Sequence, residues 1–228
     1  MLTLFQELWR RSNHFKRYLD AYGLDQATKL NCLEDAIRRQ LPLGQVTLVI
    51  SHFPETFSRL QQFFDERSIE YQVGARTVSH EQIRLHAERH MNEVLLVLAE
   101  TLKTSTSNPS TDLPQRLEIA AIAVERYPRP QNDLAIEDFC RSLPYRSRLG
   151  YFLAMDDPTV RNAVGDNLIE LMKQLGMKPA TMISSEMMNS RINRSLNRRY
   201  ADLRNEVLSD SVADWFLQNK PIETTPEA

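Results

Sequence analysis

Hydrophobic positions along this chain change period several times, and each change marks an element. Over the first segment Leu4, Leu8, Phe15, Tyr18 and Tyr22 recur at helical spacing, with Phe5, Trp9 and Leu19 widening the stripe. Gly23 suits the left-handed position beyond a helix end, with Leu24 supplying the accompanying apolar contact. Asp25 is placed as the N-cap of a second helix, whose Leu30, Leu33, Ile37 and Leu41 share one face and which Pro42 and Gly44 close. Residues 1–43 are therefore predicted as an N-terminal helical hairpin.

From Gln45 the pattern shortens. Val46 to Ile50 is a nearly continuous apolar run, as expected of a strand buried on both faces. Pro54 can open a helix with Phe57, Leu60, Phe63 and Phe64 inward, and Ile69 to Val73 alternates as a second strand. A helix from about Ser79 through Ile83, Leu85 and Ala87 precedes a third strand, Val94 to Ala99, and Leu117 to Val124 makes a fourth. Strands alternating with helices predict a parallel sheet covered on both faces. The α/β domain is placed at 45–180. Within it lie a polar loop over Thr104 to Pro114, a short helix around Leu134 to Phe139, and a helix begun by Asp156-Asp157-Pro158. That last helix would bury Val164, Leu168, Leu171, Met172 and Leu175 and stop at Gly176. A long C-terminal helix is expected over 185–220, with Ile192, Leu196, Leu203 and Val207 on one face, and a frayed, disordered tail over 221–228.

Composition narrows the class without naming a function. The 228 residues are 42% hydrophobic and 25% charged, which excludes low-complexity and disordered classes. A net charge of −2 gives no overall basic excess to advertise nucleic acid or an anionic membrane. Two cysteines, Cys32 and Cys140, cannot make a disulfide scaffold, and a reducing, cytoplasmic setting is the simpler expectation. The longest apolar runs fall far short of the ~18 residues of a membrane span, so no integral membrane protein is expected. Arg10, Arg11, Lys16 and Arg17 leave no room for a signal-peptide core.

Most chemistry sought in the sequence is not there. The six glycines never fall at the spacing of a phosphate loop, a dinucleotide fingerprint or a nucleophile elbow. His86 and His90 could share a metal at i and i+4, but Glu88 sits in the wrong place for a zinc protease and no third ligand is evident; no metal site and no cofactor are predicted. Arg191, Arg194, Arg198 and Arg199, with Arg204, form the clearest basic cluster. Such a stripe is a solvated helix face or an interaction surface for phosphates or an acidic partner. Arg141, Arg146 and Arg148 form a second group, in what reads as a proline-containing turn.

Taken in order, Glu125-Arg126, Asp156-Asp157, Gly165-Asp166, Leu171-Met172, Leu175-Gly176-Met177, Ile183, Ser185-Glu186-Met187 and Ile192 resemble the second motor domain of SecA, the preprotein translocase ATPase. Val46 to Val73 is similar to the strand, helix and strand that open that domain, and His80-Glu81 matches a His-Glu of the family. The resemblance covers about residues 45 to 200 and implies a RecA-like three-layer parallel sheet, the second-domain type of P-loop NTPases and helicases, followed by the start of a helical scaffold. The departures are as telling. The family's Gly-Arg-Gly-Thr-Asp loop is Thr104-Ser105-Thr106-Ser107-Asn108 here, and its arginine-finger turn is Asp138-Phe139-Cys140-Arg141. The first motor domain has no counterpart in the sequence.

A preserved apolar framework beside eroded nucleotide motifs implies a non-catalytic relative retained as a protein-interaction module, with a protein partner or a second copy, linked to protein export. Two alternatives stand beside it. One is a half-motor that supplies Arg141 or Arg146 as an arginine finger to an ATPase partner in trans. The other is a helicase-like nucleic-acid module using Arg191 to Arg204, which the acidic balance disfavours.

Overall fold

The computed structural model describes residues 14–104, 117–165, 181–201, 203 and 205–219. Eight strands form a mostly parallel sheet in the order β4-β5-β3-β6-β7-β2-β8, with β1 also paired to β7. These strands are β1 (Phe15–Arg17), β2 (Ala21–Gly23), β3 (Val46–Ser51), β4 (Tyr71–Val73), β5 (Val94–Leu98), β6 (Glu118–Ala123), β7 (Arg146–Ala154) and β8 (Ile183–Ser184). Among the described residues only the β2–β8 pair is antiparallel. Seven α-helices accompany them among the described residues: α1 (Gln26–Gln40), α2 (Pro54–Glu66), α3 (His80–Arg89), α4 (Pro130–Ser142), α5 (Pro158–Val164), α6 (Glu186–Tyr200) and α7 (Val212–Gln218). This is the α/β class and the layered parallel sheet expected of a RecA-like domain.

The layers follow from strand alternation. Val49, Val94, Leu96, Ile122 and Val124 point to one face, where Leu33 and Ile37 of α1 and Leu60, Phe63 and Phe64 of α2 cover them. Leu48, Ile50, Leu95, Val97, Ile119, Ala121 and Ala123 point to the other, under α3 to α7. With side chains of period two and both faces covered, the central strands must be apolar throughout. Local signals start the helices. The Asp25 carboxylate accepts from Thr28 N at 2.8 Å, and Pro54, Pro130 and Pro158 each occupy the first turn of their helix.

Several expectations need correction. The second helix of the predicted N-terminal hairpin is present as α1, capped by Asp25, but the described part of the first is not helical: Phe15–Arg17 and Ala21–Gly23 are strands, both parallel to β7. Leu4, Phe5, Leu8 and Trp9 lie outside the described residues. Aromatic and alternating residues here satisfy a strand as readily as a helix, and pairing with β7 decides between them. Gly23 is not left-handed; a Cβ there would lie 3.2 Å from Lys29 N, so it lets β2 approach the start of α1.

Of the arginines placed in a proline-containing turn, Arg141 lies in the last turn of α4, and Arg146 and Arg148 begin β7. Ser147, Leu149, Tyr151 and Leu153 are buried, while Arg146 and Arg148 face solvent. Helix α5 ends at Val164 before Gly165, whose φ of 79° suits glycine. Leu168, Leu171, Met172, Leu175 and Gly176 lie outside the described residues, as do Ser105 to Asn108. The long final helix is two: α6 ends at Tyr200 and α7 begins at Val212, with Ser211 accepting from Asp214 N at 3.1 Å as its cap.

Phe64 is fully buried between α2 and the sheet. Phe64→Ala is expected to lower unfolding free energy by about 3–5 kcal/mol, measured by urea denaturation at neutral pH.

Candidate functional site

In an open α/β sheet, ligands gather outside the carboxyl ends of the strands, where strand order reverses. Here the chain runs from β3 to β4 and β5 on one side, then to β6 and β7 on the other, so the reversal lies between β3 and β6. The segments leaving these two strands are Ser51-His52-Phe53 and Glu125-Arg126-Tyr127.

Glu125 fills the crevice. Its Oε1 accepts from Ser51 Oγ at 2.9 Å, His52 N at 2.7 Å and Phe53 N at 3.0 Å, and its Oε2 from Thr56 Oγ1 at 2.7 Å. These donors surround the N-terminus of α2, where an anion is favoured by exposed N–H groups and the helix dipole. The next helical N–H, Glu55 N, donates to Asp210 O at 3.0 Å, from the segment between α6 and α7. Above the carboxylate, Phe53 stacks on Tyr127 with ring centroids 5.2 Å apart, and Tyr127 meets Trp215 edge-on at 5.9 Å. Glu206 binds this layer from the other side. It accepts from Trp215 Nε1 at 2.7 Å, from Arg129 Nη1 at 2.7 Å and from the Tyr127 hydroxyl. Burial would raise its pKa, but these three donors hold it below the ordinary carboxylate range.

Beside Glu125, Arg126 is buried among partners from four elements. Its Nη1 donates to Asp20 at 2.9 Å, its Nη2 to Asn193 of α6, and its Nε lies 2.7 Å from Asp133 Oδ2 as a charge contact off the line of a hydrogen bond. The carbonyl of Arg126 accepts from Thr159 at 3.0 Å. Asp133 also takes His52 Nε2 at 2.9 Å and Tyr127 N at 3.1 Å. The Tyr151 ring lies between two guanidiniums, Arg17 at 4.4 Å and Arg126 at 5.0 Å. Burial opposes the charge on Arg126, yet Asp133 and Asp20 hold its pKa above the usual arginine value. Burial likewise opposes ionisation of Asp133, but the Arg126 charge and the His52 contact bring its pKa below normal.

A second buried pair closes the same edge. Lys29 donates to Asp157 at 2.8 Å and to Val124 O at 3.1 Å, tying α1 to the ends of β6 and β7. The pKa of Asp156 beside it is raised, first by desolvation of its carboxylate and then by the neighbouring Asp157 charge.

Sequence reasoning noted Glu125-Arg126 only through a resemblance and missed Asp20, His52, Asp133 and Glu206. The available signal was position. A Glu-Arg pair just beyond the buried apolar run Ile119 to Val124 cannot reach water easily and needs opposite charges nearby.

The arginines singled out from sequence do not meet at this crevice. Arg146 opens β7 and Arg141 ends α4, so both lie at the amino end of the parallel strands. Arg141 contacts Asp138 at 3.5 Å and Arg146 contacts Glu118 at 3.6 Å. On α6, Arg191 donates to Val164 O at 3.3 Å and Arg199 to Asn162 Oδ1 at 2.7 Å, while Arg194 and Arg198 face solvent. His86 and His90 are both engaged by Glu93, through its carbonyl at 3.1 Å and its carboxylate at 2.9 Å. Among the described residues no three His, Cys, Asp or Glu side chains converge as a metal site, and no helix is long and apolar enough to cross a membrane. Cys140 is fully buried, which pushes its thiol pKa up to about 12 and leaves it unreactive.

Two outcomes are expected of the buried charges. Arg126→Met strands Asp20 and Asp133 without a cation and should cost about 3–5 kcal/mol in urea denaturation, with part recovered on adding Asp20→Asn and Asp133→Asn. Because the folded-state pKa of Asp133 is depressed, its ionised form contributes stability above the unfolded value of about 3.9, and that contribution is lost as pH falls through the folded value. The stability gap between wild type and Asp133→Asn should therefore be full at neutral pH and close in acid, as followed by denaturation across a pH series.

No protein-family model and no curated protein sequence matches this chain. Among solved structures it is similar to the C-terminal part of the Fun30 ATPase domain, at 11% identity over 75% of this chain, with a TM-score of 0.40. The match spans 53% of that structure, about half its length.

Proposed function

We propose that this chain is a non-catalytic relative of a RecA-like motor domain, similar to the second motor domain of SecA, that acts as a protein-interaction module. The observation that carries the reading is the occupied crevice at the ends of β3 and β6. Backbone N–H groups that could cradle phosphate are spent on Glu125, and the space above holds Phe53, Tyr127 and Trp215. An incoming triphosphate would have to displace an anion covalently attached to the chain. It would also meet two further carboxylates, Glu206 and Asp133, each already paired. A fold stripped of its chemistry in this way still presents a rigid surface, and binding another polypeptide is the role such a surface supports. The order of Asp156-Asp157, Gly165 and Ser185-Glu186-Met187 supports the SecA-like lineage, and with it a link to protein export.

Neither alternative is favoured by a specific observation. Arg141 and Arg146 sit at the opposite end of the sheet from the crevice, and each lies near a carboxylate. The exposed arginines of α6 have no exposed aromatic on the same helix to stack bases, because Tyr200 is buried.

Calorimetric titration with magnesium ATP up to millimolar concentration, paired with a phosphate-release assay, tests the reading. No binding heat and hydrolysis at the buffer rate are expected; micromolar affinity or turnover above buffer would overturn it.

A further inference from the structure

Helix α6 has two faces of different character. Met188, Ile192, Leu196 and Tyr200 are buried against the sheet side of the molecule. On another side, Met187, Arg191, Arg194 and Arg198 follow at intervals of four, three and four, which places them in one row about 16 Å long. All four are exposed, and Met187, at 81%, is the most exposed large hydrophobic side chain among the described residues. The only carboxylate on the helix is Glu186, in its first turn. Arg191 is steadied by Val164 O, so its guanidinium is held rather than swept through solvent. Among the described residues neither Arg194 nor Arg198 is paired with a carboxylate.

We propose that this row is a docking strip for an acidic polypeptide segment that carries one apolar anchor. The proposal rests on the interaction-module reading and names the chemistry of the partner. Three guanidiniums in a line present planar forks that match carboxylates, and arginine binds them with more geometric selectivity than lysine does. Met187 offers a deformable apolar seat at one end, and Met and Arg are the side chains enriched where proteins meet. A second copy docked face to face would set arginine against arginine, so the strip does not pair with itself. A nucleic-acid backbone would use the arginines but leave Met187 without a role, and no aromatic is exposed on this helix to receive a base.

The probe is a pair of fluorescein-labelled helical peptides, one for each chain direction, presenting a single leucine and three glutamates at the same four-three-four spacing. Fluorescence anisotropy with the full chain should detect one of them, with affinity falling as salt is added. Arg194→Glu with Arg198→Glu should weaken it by at least about tenfold, and Met187→Ser by about threefold or more, with unchanged thermal melts. Replacing the peptide glutamates by glutamine should abolish binding. The proposal is overturned if neither peptide binds, if the double reversal leaves affinity unchanged, or if a single-stranded oligonucleotide of equal charge binds as tightly. The same preparation is assayed for ATP hydrolysis: peptide failure with no hydrolysis removes only the strip, whereas hydrolysis removes the module reading as well.

Discussion

A guanidinium taken out of water must be enclosed by carboxylates and held there, and Arg126 is the place where this protein meets that requirement. Its partners come from the segment before α1, from the first turn of α4 and from α6, and its carbonyl receives Thr159 of α5. Each of those elements is thereby fixed relative to β6, the strand that delivers the arginine. Apolar contacts alone are tolerant of small slides between helices and sheet. A buried charge is not, because a shift that separates the ions leaves both desolvated and unpaired. The network therefore ties α4, α5 and α6 to the end of β6 through directional contacts.

The same edge of the sheet carries the proposal that the fold no longer serves as a nucleotide site. Open α/β domains keep a crevice at the strand ends, and the chemistry of many enzymes is grafted there. Here the crevice is lined by donors of the right kind, but Glu125 answers them from within and an aromatic layer pinned by Glu206 closes the top. What remains accessible lies elsewhere, on the outer helices, and α6 carries the most distinctive of those surfaces.

Much of the sheet was legible from the chain because β3, β5 and β6 are apolar on both faces, and Asp25, Pro54 and Pro158 mark helix starts by chemistry that acts locally. The misses share a cause of the opposite kind. Phe15–Arg17 and Ala21–Gly23 become strands because β7 offers them hydrogen bonds from across the sequence, and no local pattern announces that offer. β7 itself was hidden by Arg146 and Arg148, which are exposed and lie near Glu118 of β6 while their neighbours Ser147 and Leu149 are buried. Between α6 and α7 the chain leaves helical geometry, and there Glu206 accepts from Tyr127, Arg129 and Trp215, partners that no local pattern announces. The candidate site was the least legible part, since its residues are joined only in three dimensions: Asp20 and Arg126 are 106 positions apart.

That separation bears on how the molecule forms. Phe15 to Gly23 lies alongside Ser147 to Ala154, so the edge of the sheet is sealed by a segment that leaves the ribosome long before its partner strand exists. Until β7 arrives, the fully buried Tyr22 has no strand to pair with. Closing so wide a loop carries an entropic cost that must be met before its contacts give any return, which makes assembly slow and leaves an unfinished sheet edge in the nascent chain. The last parallel edge of the sheet is therefore closed by two of the earliest segments of the described chain.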